Sequence, residues 1–138
     1  MANIKLPRKE FEKHIKINED ILKKISLFGT PLESINENEI EIEVFPNRPD
    51  LLSFQGFMRS FMPFIGKNTG LKEYRISKPL ENYSVEIKPS VKGIRPYTAC
   101  AIVRNMHFDD EKIREVIDIQ EKLHITYGRN RKKVAIGI

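Results

Sequence analysis

Phe45-Pro46-Asn47-Arg48-Pro49-Asp50-Leu51-Leu52 joins an alternating segment, Glu39-Ile40-Glu41-Ile42-Glu43-Val44, to a long apolar one. Alternation of period two predicts a strand with one buried face. Beyond the corner, Phe54, Phe57, Met58, Phe61 and Ile65 recur at helical spacing, which predicts a helix running from about Leu51. The two prolines fix φ and push Phe45 and Arg48 towards extended geometry, so the joint is stiff. Asp50 stands where a carboxylate can accept the orphan amide hydrogens of a helix start. A strand, a rigid corner carrying Asn47, Arg48 and Asp50, and an apolar helix make an α+β arrangement. By physics alone the corner is a structural motif rather than a site.

Upstream, residues 3–6 read as a short strand, and Pro7 can open a helix that carries Phe11 and Ile15 on one face. Asn18 is placed as an N-cap, with Glu19 and Asp20 in the first turn. Ile21, Leu22, Ile25 and Phe28 follow a helical period that Gly29 can end. Residues 32–35 and 39–44 predict a hairpin across Asn36-Glu37-Asn38. Five glutamates between Glu33 and Glu43 could be read as a site for a hard cation. Strict alternation favours a solvated strand face instead.

Downstream, Pro63 should kink or end the helix, and Gly66 and Gly70 mark a loop. Residues 71–76 and 84–88 read as strands, and residues 89–96 as a linker or the opening of a domain. Residues 97–103 read as a buried central strand, with Cys100 as a small core residue. Asp109 or Asp110 should start a last helix whose inner stripe is Ile113, Val116, Ile117, Gln120, Leu123 and Tyr127, with Gly128 at its end. Gln120 and His124 stand four apart beside that stripe, and a hydrogen-bonded pair at a packed helix edge is favoured over a polar site. Residues 134–138 read as a buried strand with no polar tail after it, so the chain is expected to be a fragment of a larger protein. The expected domains are 1–90, a small helix-rich unit with a short antiparallel sheet, and 91–138, the truncated start of a β-rich one.

Composition limits the function classes. Two fifths of the residues are apolar, enough for a modest core, and no run is long enough for a membrane helix. No secretory h-region follows Met1, and one cysteine excludes an internal disulfide, which together suggest a cytoplasmic setting. The histidines His14, His107 and His124 have no metal-ligand spacing, and no phosphate-binding glycine loop or nucleophile elbow is present. The net charge is +5, and Arg129, Arg131, Lys132 and Lys133 cluster in five residues. Such a cluster can bind phosphate backbone or be only a solvated turn.

Three stretches, in order, resemble the beta subunit of phenylalanine–tRNA ligase in its archaeal and eukaryotic-like form. The first is residues 44–53 with Gly56 and Arg59, similar to that family's N-R-x-D-x-L-S-x-x-G-x-x-R corner. The second is Ile94-Arg95-Pro96-Tyr97-Thr98-Ala99, followed by Val103-Arg104-Asn105. The third and most specific is Ile119-Gln120-Glu121-Lys122-Leu123-His124, then residues 128–138. Residues 1–39 agree only in pattern, and Pro63 and Cys100 depart from it. The resemblance implies a cytosolic alpha–beta heterotetramer that charges its tRNA with phenylalanine using ATP and magnesium. Aminoacylation would lie on the alpha subunit. The beta subunit would begin with a helix-rich α+β domain and continue into a tRNA-editing domain, opening here near Arg95. The family's later His-Asp pair and most of its editing pocket lie outside these residues. The implied fragment binds no cofactor, has no catalytic or metal-binding residue, and neither aminoacylates nor edits. Gln120, His124 and Asn105 lack convergent partners in the sequence and receive no catalytic role. Two other readings stay open: a free-standing nucleic-acid-binding module using the Arg129–Lys133 cluster, and an interaction protein whose last strand pairs with a partner.

Overall fold

In the computed structural model, which describes residues 2–80 and 82–138, the alternating segment is the middle of a three-stranded antiparallel sheet. Strand β3 (Glu39–Val44) pairs with β1 (Ala2–Pro7) on one side and β2 (Leu32–Ile35) on the other. Its register with β1 runs from Ala2 opposite Val44 to Pro7 opposite Glu39. Period two then fixes the faces. Ile4, Leu6, Ile40, Ile42 and Val44 are buried, while Lys5, Glu39 and Glu41 line the opposite face. There Lys5 Nζ donates to Glu39 Oε1 at 2.8 Å, which raises the lysine's pKa. Ser34 Oγ donates to Glu41 Oε2 at 3.1 Å. These cross-strand contacts suit a solvated face. Asn36 closes the hairpin, its Oδ1 accepting the amides of Asn38 and Glu39 at 2.8 and 2.9 Å.

Three helices cover the buried face. Helix α1 (Arg8–His14) buries Phe11 and is tied to the hairpin by Arg8 N–H donating to Asn38 O at 2.8 Å. Pro7 belongs to the end of β1 and sits just before the helix. Helix α2 (Glu19–Leu27) is capped by Asn18, whose Oδ1 accepts from Ile21 N at 2.9 Å. It buries Ile21 and Ile25, and Gly29 turns the chain away at φ +90°. Helix α3 (Phe54–Phe64) presents Phe57, Met58 and Phe61 to the core and ends one residue after Pro63. Its aromatic residues form one cluster with Phe28, with ring centroids 5.0 Å apart for Phe57–Phe61 and 5.6 Å for Phe28–Phe61.

The helix expected from Leu51 starts later. Pro49–Leu51 forms a single 3-10 turn, and α3 begins at Phe54. Asp50 does not cap it. Ser53 does, with its Oγ accepting from Gly56 N at 3.0 Å, because the turn at Pro49 uses up the residues between Asp50 and the helix.

The chain divides into two compact units, residues 2–70 with Asp109–Ile138, and residues 71–108. In the second unit the only regular element among the described residues is a 3-10 turn, Pro89–Val91. This corrects the strands expected at 71–76, 84–88 and 97–103. Leu71, Ile76 and Tyr97 are 96%, 94% and 93% exposed, and Cys100 is exposed rather than a core residue. A strand exists only with a ladder partner, and these segments find none among the described residues.

Helix α4 (Asp110–Ile125) begins as expected. The Lys112 backbone N–H donates to Asp109 Oδ1 at 2.8 Å and holds that carboxyl below its usual range. The helix stops at Ile125, before Gly128. Its expected inner stripe is corrected as well. Ile113, Ile117 and Tyr127 are exposed, His124 is buried, and Leu123 packs on the main core. An apolar stripe is buried only where another surface meets it. Residues 134–138 form no strand, since no neighbouring strand pairs with them among the described residues.

Candidate functional site

Two places gather the residues that the sequence marks out. The first is the corner. Pro46 and Asn47 occupy the middle of a turn closed by Arg48 N–H donating to Phe45 O at 3.0 Å. Arg48 then reaches back to Asp50 with two parallel bonds, Nε to Oδ1 at 3.0 Å and Nη2 to Oδ2 at 2.9 Å. That fork-to-fork pair lowers the Asp50 pKa and raises that of Arg48. The guanidinium carbon also lies 5.0 Å from the Phe28 ring centroid. Arg48 therefore links the corner to the end of α2. Gly56 is required next to it, because a Cβ there would overlap the carbonyl oxygen of Asp50. The sequence marks Asn47, Arg48 and Asp50. It also carries a signal for Ser53, a small hydroxyl residue directly before an apolar helical period.

The second place is the end of α4. Arg129, Asn130 and Arg131 all take left-handed backbone conformations, with φ of 51°, 55° and 65°. Three such residues in a row are costly for side chains other than glycine. Their amides are held in compensation: Arg131 N–H donates to His124 O at 3.2 Å, and Lys133 N–H to Gly128 O at 2.8 Å. Gly128 lets the chain fold this closely, since a Cβ would come within 2.6 Å of Val134 O. The expected basic cluster is thus a fixed turn, but its charges are not equivalent. Arg131 is paired with Glu121, and Lys133 Nζ sits 4.1 Å from the Tyr127 ring centroid. Arg129 and Lys132 are exposed.

Gln120 and His124 both turn to the backbone of Ile136 rather than to each other. Gln120 Nε2 donates to Ile136 O at 2.5 Å, and Ile136 N–H donates to His124 Nε2 at 2.9 Å. The same Nε2 also lies 3.1 Å from Ile136 O, and Nδ1 faces Glu121 Oε1 at 3.3 Å. Glu121 therefore faces two side-chain partners, His124 first and Arg131 second, and its carboxyl titrates below its usual range. The spacing of Glu121 and His124, three apart on a helix, is the signal that could have found this contact. As it stands the arrangement ties the chain's last residues to α4 and has no nucleophile.

The chain resembles known proteins along most of its length. It is 41% identical over 120 residues to the phenylalanine–tRNA ligase beta subunit of Methanosarcina barkeri, covering 87% of this chain and 22% of that one. It is 37% identical to the same subunit of Methanococcoides burtonii over the whole of this chain and 25% of the relative. The chain thus spans about a quarter of the length of the curated relatives it matches. Among solved structures it superposes on an N-terminal fragment of the phenylalanyl-tRNA synthetase beta subunit from Pyrococcus horikoshii with a TM-score of 0.82. That match covers 99% of this chain and 41% of the other at 28% identity. No family model matches the chain. In sequence and in its α+β fold, the chain resembles the N-terminal part of the phenylalanine–tRNA ligase beta subunit.

Proposed function

We propose that this chain is the N-terminal portion of a phenylalanine–tRNA ligase beta subunit. It serves as a structural part of an enzyme that charges tRNA with phenylalanine. The observation that carries this is one of coincidence. A relative aligned over the full chain and a solved fragment superposed on 99% of it carry the same subunit name. On this reading residues 1–90 are the N-terminal α+β domain, and residues 91–138 open an editing domain that these residues leave incomplete. Its partners are the alpha subunit and, through the complete beta subunit, tRNA. ATP and magnesium belong to the parent enzyme, which works in the cytoplasm. Within these 138 residues, no side chain is given a catalytic role.

The test is a chimera. This chain replaces the matching quarter of the Methanococcoides burtonii beta subunit, which is co-expressed with its alpha subunit. The expected result is an assembled complex that attaches phenylalanine to tRNA. A chimera that assembles with no alpha subunit, or never charges tRNA, overturns the reading. The chain by itself should release no tyrosine from mischarged tRNA above a buffer control.

A further inference from the structure

Within the first unit, a groove of about 450 Å³ separates α4 from β1 and the start of α3. Its floor is apolar. Ile4 and Leu52, both buried, line it together with Pro7, Phe54 and Ile119. Its rim is charged, and the charge is uneven, with five carboxylates against three lysines. Each of those lysines already has an acid: Lys5 pairs with Glu39, Lys112 with Asp109 and Lys122 with Asp118. Glu10 on the opposite wall pairs with Lys13. Glu111 and Glu115 have no cation partner among the described residues. They stand four apart on α4 and share the stripe that faces the groove. Like charges at that spacing repel, so the pair works against the helix that carries it.

We propose that this groove docks a basic, amphipathic segment of a partner protein, with an apolar side chain on its floor and two lysines or arginines against Glu111 and Glu115. The floor selects a hydrophobic side chain, because covering Phe54 and Ile119 removes apolar surface from water. The volume is room for a few side chains rather than for a whole element. The uncompensated charge is acidic, which repels the phosphate backbone of a nucleic acid. The acids are also strung along the helix, with Glu111 and Glu115 about 6 Å apart on its axis. Among the described residues no three acids converge as they would around a metal ion. Cations at i and i+4 of a partner helix match the spacing of Glu111 and Glu115. The chain as a whole carries a net charge of +5, so its mean field does not draw in a cationic segment. The attraction comes from this strip.

The experiment follows the fluorescence anisotropy of a labelled peptide built of leucine and lysine on opposite faces of a helix, titrated with the full chain. It compares the wild type with E111Q/E115Q, and with E33Q/E37Q, which removes the same charge from the exposed hairpin. E111Q/E115Q should weaken binding by about tenfold at low salt, and the difference should shrink as salt is added. E33Q/E37Q should bind as the wild type does. Polylysine of matched charge should bind about tenfold more weakly than the amphipathic peptide, because it offers nothing to the floor. No measurable binding of the amphipathic peptide by the wild type overturns the proposal. So does an equal loss in the two variants, which makes the effect one of net charge. Polylysine that binds as tightly as the amphipathic peptide removes the floor and overturns it too. Labelled tRNA that binds the wild type and is lost in E111Q/E115Q assigns the groove to a nucleic acid and does the same. Glu111 and Glu115 hold no cation, so E111Q/E115Q should keep the wild-type thermal midpoint. A lowered midpoint passes the decision to Glu111→Gln, at an exposed position, which should still lose about threefold. No loss there overturns the groove.

Discussion

Residues 39–44 and residues 84–88 carry the same alternating pattern and meet opposite fates. Glu39–Val44 becomes the central strand of the sheet, and Ile40, Ile42 and Val44 are sealed in the core. Ser84-Val85-Glu86-Ile87-Lys88 forms no strand, and Val85 and Ile87 stay 62% and 49% exposed. Alternation permits a two-faced strand but does not supply the neighbour. The first segment has one on each side, because the Asn36 turn folds β2 onto it and β1 pairs along its other edge. The second has no partner among the described residues.

The largest test of that contrast is to remove one side chain from each region. Phe61→Ala deletes the ring that touches Phe11, Phe28, Phe57 and Phe64. It should cost about 3–5 kcal/mol in urea unfolding. Ile87→Ala should stay within about 0.5 kcal/mol. Similar losses at the two positions would break the comparison. Next comes Gly56→Ala. The added methyl overlaps the Asp50 carbonyl and forces α3 away from the corner, at about 1–3 kcal/mol in the same measurement.

A smaller effect separates the two candidate caps. Ser53→Ala should lose about 1 kcal/mol, since it leaves Gly56 N–H without its acceptor. Asp50→Asn should lose less, because Asp50 serves an ion pair whose side chains are each about a third exposed. The reverse order would restore Asp50 as the cap. The smallest effect is that pair's pH dependence. Arg48 holds the folded-state pKa of Asp50 below its unfolded value. Its stabilisation is therefore complete above the usual carboxylate range and fades as pH falls from about 4 through the folded pKa. After solvent screening the loss should be below about 1 kcal/mol. A wild-type stability curve that matches Asp50→Asn throughout that window would remove the pair from the account.

The hairpin of residues 32–35 and 39–44 was legible in the sequence, as were most of the first strand, the Asn18 cap, a helix start at Asp109 or Asp110 and the aromatic face of α3, but the pairing of β1 with β3 was not. In each the deciding information is local: a period of two, a side chain that reaches an amide three residues on, a period near 3.6. The basic turn was legible as a cluster but not as a shape. Nothing in Arg129-Asn130-Arg131 announces three left-handed residues, which depend on His124 O and Gly128 O being in place to receive amides. Gln120 and His124 stood at the right spacing, yet their shared partner, Ile136, is 12 to 16 residues away along the chain.

The sequence by itself determined which segments can form a two-faced strand or a one-sided helix, because those preferences arise within a few residues. Only the tertiary structure decided which of them are used. Burial requires a second surface, and that surface comes from distant parts of the chain. The corner shows both sides of this. Its prolines, its Asn-Arg turn and its stiffness follow from residues 45–50. Tertiary packing gives the Arg48 guanidinium to the Phe28 ring, because Phe28 arrives from 20 residues upstream.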